Sequence, residues 1–346
     1  MIKRITLFLA LVLLIAGAGF IYVTKQVDEY VTQPFKLQEE QIYTIETGMS
    51  FNRLLADLTN DELIVSSDVA RLVRRFHPEL TQVKAGTYLL TPGINLTQAL
   101  ELFKTGKEHQ FAITFVEGST FAEWRAALEQ APYLEHKISG LSEAEIAQQI
   151  GIEKAKLEGL LLAETYHYTF GTSDLDIIKR AADKLQQILD KHWQQRQENL
   201  PLKTPYEALI LASIIEKETA VGAERERVAG VFVNRLNKRM RLQTDPTVIY
   251  GMGDKYDGNI RKKDLRTPTP YNTYTIFGLP PTPIAMPGEA SIAAATNPED
   301  SNYLYFVASG TGGHVFSKTL SEHNRAVRAY LRPVSYTHLR AHETTV

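Results

Sequence analysis

Glu218 ends the segment Thr204-Pro-Tyr-Glu-Ala-Leu-Ile-Leu-Ala-Ser-Ile-Ile-Glu-Lys-Glu, and its type and spacing suit acid–base chemistry. At roughly 100° per residue, Ile210, Leu211, Ile214 and Ile215 share one direction on a helix, and Glu218 falls within about 20° of it. Glu216 points to the opposite side. A carboxyl carried on an apolar face must be paired, or sit in a cleft with a raised pKa. A raised pKa is what lets a carboxylic acid donate a proton near neutral pH. The alternative is that the helix simply ends there and Glu218 turns into solvent.

Other chemistries lack their residues. The histidines show no His-Glu-x-x-His or other close ligand spacing, so no metal site is expected. There is no Gly-x-Ser-x-Gly elbow, and no Gly-x-Gly-x-x-Gly follows a strand. Gly310-Thr-Gly-Gly-His lacks the Lys-Ser/Thr of a phosphate loop and reads as a hairpin turn. With no cysteine, disulfides and thiol catalysis are excluded together. A net charge of −2 with interspersed signs argues against a nucleic-acid surface.

Just downstream of Glu218, Gln243-Thr-Asp-Pro-Thr-Val-Ile-Tyr-Gly and Pro270-Tyr-Asn-Thr-Tyr-Thr bring amide, hydroxyl and aromatic groups together. Sugars suit this mixture, because their faces stack on rings while their hydroxyls take directed hydrogen bonds. The alternative is that Asp245 and Asn272 cap turns and the tyrosines pack beneath them.

These residues need a scaffold, and the chain supplies patterns for one. The 346 residues allow about two globular domains. Ile5 to Val23 is uncharged and follows Lys3 and Arg4, which suits a retained membrane helix with a cytoplasmic N-terminus; a cleaved signal peptide is the rival. Residues 1–24 are therefore read as the cytoplasmic N-terminus and anchor, and 25–40 as a polar tether. Strand patterns at Ile42–Gly48 and from Lys84, with helical patterns at Phe51–Leu58, Ser67–Arg75 and Leu96–Lys104, predict a small βααβ module over 41–107. A strand at Ile113 and mostly helical patterning from Phe121 to Trp193 follow. The Glu218 helix opens with Thr204 as N-cap, Pro205 at its first position and Glu207 completing a capping box. A second helix is expected over Glu224–Arg239, a loop-rich stretch over 240–290, a hairpin near Tyr303–Ser317 and a final helix over Glu322–Leu331. Residues 333–346 fit nothing before them and read as a non-native tail, so His338 and His342 are set aside.

Several of these stretches, in order and spacing, resemble the endolytic murein transglycosylase MltG (YceG-like) family. They are Ala212-Ser-Ile-Ile-Glu-Lys-Glu-Thr, Leu242-Gln-Thr-Asp-Pro-Thr-Val-Ile-Tyr-Gly, Tyr271-Asn-Thr-Tyr-Thr, Gly278-Leu-Pro-Pro-x-Pro-Ile, Tyr303-Leu-Tyr-Phe-Val and Gly312-Gly-His-x-Phe. The resemblance implies an α+β protein with a single transmembrane helix, a LysM-like module at 41–107 and a mixed α/β catalytic domain at 108–332. It also implies cleavage of the β-1,4 MurNAc–GlcNAc bond within peptidoglycan strands, leaving 1,6-anhydro-MurNAc ends, with the catalytic acid on Glu218 and no cofactor. Gln243, Asp245, Tyr250, Asn272, Tyr274 and Glu158 are the candidate substrate-binding residues. The chain has Ala163 where the family usually has Pro, and Glu164 where Asp is common. The anchor places the protein at the inner membrane with the catalytic domain in the periplasm, and partnership with cell-wall synthases is a further inference from that placement. Two other classes stay open: a hydrolytic muramidase using a second acid such as Asp245, and a non-catalytic wall-binding scaffold.

Overall fold

The computed structural model describes residues 2–331; the expected non-native tail lies outside them. The chain divides into two units, the first comprising Met1–Phe111 with His167–Gly171, the second Ala112–Tyr166 with the chain from Thr172 onward.

In the first unit, α1 (Ile2–Val31) precedes β1 (Gln41–Ile45), α2 (Phe51–Asn60), α3 (Val73–Phe76), β2 (Gly86–Leu90) and α4 (Leu96–Thr105). The strands pair antiparallel with Tyr43 opposite Tyr88 and Thr44 opposite Thr87. Local chemistry sets the helix starts: Ser50 accepts from Arg53 N, and Asn95 with Gln98 forms a reciprocal capping box. Phe51, Leu54, Leu58, Tyr88, Leu100 and Phe103 fill the core. The βααβ order is as expected, but Ser67–Arg75 yields only a 3₁₀ turn and the one-turn α3.

The tether differs more. Helix α1 continues through residue 31, and Val27, Tyr30, Val31 and Phe35 are buried in this unit's core. The spacing of Val27, Tyr30 and Val31 puts all three on one helix face, which the polar residues between them mask in the sequence. Upstream, Leu7, Phe8, Leu13 and Leu14 are exposed. Among the described residues one helix, within Lys3–Val31, is long and apolar enough to cross a membrane.

After β3 (Phe111–Thr114), whose first residue falls in the first unit, come α5 (Phe121–Gln130), α6 (Glu143–Gln149) and β4 (Thr165–Tyr168), whose last two residues also fall there; the second unit continues through α7 (Asp174–Gln194), α8 (Pro205–Glu218), α9 (Arg225–Asn237), α10 (Asp245–Met252) and α11 (Glu289–Thr296). An antiparallel hairpin of β5 (Tyr305–Ala308) and β6 (His314–Ser317), with Phe306 opposite Phe316, leads to α12 (Leu320–Tyr330). Thr120, Ser142, Ser173 and Thr319 each form a full capping box. At α8, Thr204 accepts from Glu207 N as expected, but the Glu207 carboxylate accepts from Lys203 N, so the box is not closed.

Helix α8 is the centre of this unit. Every residue from Ala208 to Ile215 is buried, and α7, α9, α10 and α11 pack around it. A helix apolar all round is enclosed all round. Glu216 therefore does not face water: its Oε2 accepts from Gly288 N at 3.0 Å and from Ser291 Oγ at 2.6 Å, which caps the start of α11.

Candidate active site

Glu218 is the last residue of α8, and the chain leaves the helix at Thr219 with extended backbone. Its side chain neither pairs with a cation nor turns to open solvent. It lines a cavity of about 360 Å³ with Phe232, Arg235, Leu242, Gln243, Asp245, Tyr274, Tyr305, Phe306, Leu320 and His323. Burial pushes the Glu218 carboxyl above its ordinary pKa, and the nearby Asp245 charge adds to the shift. The Thr244 hydroxyl donates to Glu218 Oε1 and opposes the shift, as do the His314 and Arg235 charges more weakly.

The wall opposite α8 is built by hydroxyls. Thr244 N donates to Thr273 Oγ1 at 3.0 Å, Thr247 Oγ1 lies 2.8 Å from Thr273 Oγ1, and Thr247 Oγ1 donates to Thr244 O at 2.7 Å. All three threonines are buried. This network holds Gln243 at φ +52°, a backbone region L-residues seldom adopt, and Gln243 N donates to Thr273 O. Asp245, at the start of α10, accepts from the Tyr274 hydroxyl at 2.6 Å.

Of the residues singled out by sequence, Gln243, Asp245 and Tyr274 thus share the cavity with Glu218. Asn272 lies behind its wall. The buried Asn272 amide donates to the carbonyls of Asp264, Leu265 and Thr267, and its Oδ1 accepts from Tyr274 N at 2.9 Å. Tyr250 packs edge-on against Tyr271 and faces Glu158. Glu158 is buried and accepts from Phe121 N at 3.2 Å, and burial raises its carboxyl to about 7. Neither Tyr250 nor Glu158 is among the residues lining the Glu218 cavity.

Sequence reasoning passed over Thr244, Arg235, Tyr305 and His323. Thr244 stood between two chosen neighbours, so proximity could have found it. The other three reach the cavity from α9, β5 and α12, and no local pattern brings them together.

A larger groove of about 490 Å³ is lined largely by apolar side chains, among them Ile152, Leu160, Leu185, Leu189 and Leu209, and lies apart from these groups. Among the described residues, no group of three or more His, Cys, Asp or Glu could hold a metal ion.

The cavity places a carboxyl of raised pKa at the end of a buried helix, among polar and aromatic groups of an α+β unit. The chain belongs to the YceG-like family, whose profile matches residues 43–329. It is 33% identical over 336 residues to a protein of Bacillus subtilis (strain 168) named endolytic murein transglycosylase, covering 92% of this chain and 91% of that one. A Streptococcus pneumoniae serotype 2 (strain D39 / NCTC 7466) protein of the same name is 34% identical over 184 residues, covering 51% of this chain and 32% of that longer protein. The 2.6 Å crystal structure of a YceG-like protein from Listeria monocytogenes superposes with a TM-score of 0.53 at 31% identity, covering 84% of this chain and 99% of that one.

Proposed function

We propose that this chain is a peptidoglycan lytic transglycosylase that cuts within glycan strands at the β-1,4 MurNAc–GlcNAc bond and leaves 1,6-anhydro-MurNAc ends. The observation that carries the reading is Glu218: a carboxyl with a raised pKa, on a cavity of polar and aromatic groups. The murein transglycosylase names of the relatives agree with it.

Protonated Glu218 donates its proton to the bridging oxygen as the glycosidic bond breaks. The resulting carboxylate then takes the proton of the muramyl C6 hydroxyl, whose oxygen closes onto the anomeric carbon. One carboxyl suffices because the attacking hydroxyl belongs to the reacting sugar, and tethering supplies a large effective concentration. A hydrolase needs a second carboxyl to activate water or attack carbon. Asp245 shares the cavity, which keeps that second reading in view, yet it accepts a hydrogen bond from Tyr274.

In this reading Gln243, Asp245 and Tyr274 contact the sugars. Asn272 acts through Tyr274, whose backbone it holds, and Tyr250 and Glu158 support the wall from behind. Helix α1 anchors the protein in the inner membrane, with the rest in the periplasm beside nascent glycan and its synthases. The first unit's βααβ arrangement serves as a LysM-like glycan-contacting module.

The test is mass spectrometry of soluble products after full-length protein in detergent is mixed with peptidoglycan, wild type beside Glu218→Gln. Anhydromuramyl products from the wild type alone are expected. Reducing ends would make the protein a hydrolase, and identical digests would make it a binding protein.

A further inference from the structure

One wall of the Glu218 cavity carries polar groups that the protein leaves uncommitted. Arg235 is only 8% exposed. Its Nε donates to Leu304 O at 2.7 Å and its Nη1 to Leu242 O at 2.8 Å, which fixes the guanidinium. Among the described residues Nη2 has no hydrogen-bond partner, and Arg235 lines the cavity. The guanidinium carbon lies 5.1 Å from the Tyr305 ring centre, and the His323 ring stacks on Tyr305 at 5.2 Å and 24°. His323 Nδ1 is buried without a partner. Leu320, one turn earlier on α12, lines the same cavity and is 55% exposed.

Polar groups withdrawn from water without partners are costly, and in a cleft they mark where a ligand's complementary atoms belong. A guanidinium only donates; a neutral imidazole supplies one acceptor nitrogen. Burial, reinforced by the Arg235 charge, holds His323 below its ordinary pKa, which keeps the ring neutral. Neither ring nitrogen is bound to a described residue, so a half-turn about Cβ–Cγ breaks no protein hydrogen bond. An acetamido group is the matching shape: its carbonyl accepts, its N–H donates and its methyl needs apolar cover.

We propose that Arg235, His323 and Leu320 form an acetamido pocket that grips the 2-N-acetyl group of one hexosamine and disfavours de-N-acetylated glycan. Arg235 Nη2 donates to the carbonyl, His323 accepts from the N–H and Leu320 covers the methyl, with Tyr305 as the spacer that fixes both polar groups. The pocket rests on the glycan-cleaving reading of Glu218.

The test compares full-length protein in detergent on N-acetylated peptidoglycan and on the same material after enzymatic de-N-acetylation. Wild type is expected to favour the acetylated substrate in kcat/KM by roughly tenfold, the scale of a lost hydrogen bond. His323→Ala, at a half-exposed position on α12, should raise KM on acetylated glycan with little change in kcat and bring the preference toward one. Arg235→Lys, which keeps the charge but loses the fork, should act in the same direction. Equal losses on both substrates, with the preference intact, would show a merely structural role and overturn the pocket. So would a wild type that cleaves both substrates equally. An absence of anhydromuramyl products from either substrate would sink the glycan-cleaving reading, and this pocket with it.

Discussion

The Thr244 hydroxyl donates to Oε1 of Glu218, so the carboxyl that ends α8 is held by the residue just before α10. Burial and this hydrogen bond pull the Glu218 pKa in opposite directions, and burial is the larger. Thr244→Val removes the donor while keeping the shape. The carboxylate form loses support and the pKa rises further. Because the proposed reaction needs protonated Glu218, the basic limb of kcat/KM should move to higher pH. A pH–rate profile in which that limb stays fixed or moves down would refute the role of Thr244.

Glu216 and Glu218 should give opposite phenotypes although they sit on one turn of helix. Glu216→Ala strips the buried Ser291 hydroxyl and Gly288 N of their acceptor. That should cost about 1–3 kcal/mol in urea unfolding. Glu218→Gln should leave the unfolding midpoint near wild type and lower activity by roughly 10²–10⁴, the usual weight of a general acid. Comparable destabilisation by both variants would contradict this division of labour.

Glu158 carries a pH signature in stability. Its folded pKa is about 7 against an ordinary 4.5, so between those values the folded state holds a proton that the unfolded chain has released. Stability from this group is therefore present below about pH 4.5 and lost as pH rises toward 7, by at most about 3 kcal/mol. Glu158→Gln, which keeps the acceptor for Phe121 N, should flatten the fall in Tm between pH 5 and 8. A slope equal to wild type would rule out this account.

Asn272→Ala should release the loop at Asp264–Thr267, because three carbonyls lose one shared donor. A loss of about 2–4 kcal/mol is expected, with faster hydrogen exchange confined to that loop and Tyr274. Unchanged exchange at Tyr274 would remove Asn272 from its positioning role.

How much was legible in the sequence varies with the range of the interactions. Capping is local, and of the one box read from the sequence the Thr204 half formed while Glu207 turned to Lys203 N. Glu218 is legible because a helical wheel averages over one element. Asn272 and Tyr274 look alike as sugar contacts, and only the three carbonyls brought to Asn272 by a tight loop separate them. The stack of Arg235, Tyr305 and His323 joins three elements remote in sequence. The partner of Glu216 was not legible, because one wheel shows which face is apolar but not that the start of α11 packs against the other.

Helix α1 passes from its last apolar exposed turn into a core without a break: Val23 closes the uncharged run and Val27 is already buried in the first unit. At 1.5 Å per residue these are only about 6 Å apart along the axis. In the anchored arrangement proposed above, that unit stands on a rigid post of fixed height, within a single helical turn of the lipid surface. Proteolysis within residues 24–31 would do more than free a soluble fragment, because it would pull Val27, Tyr30 and Val31 out of the domain they complete.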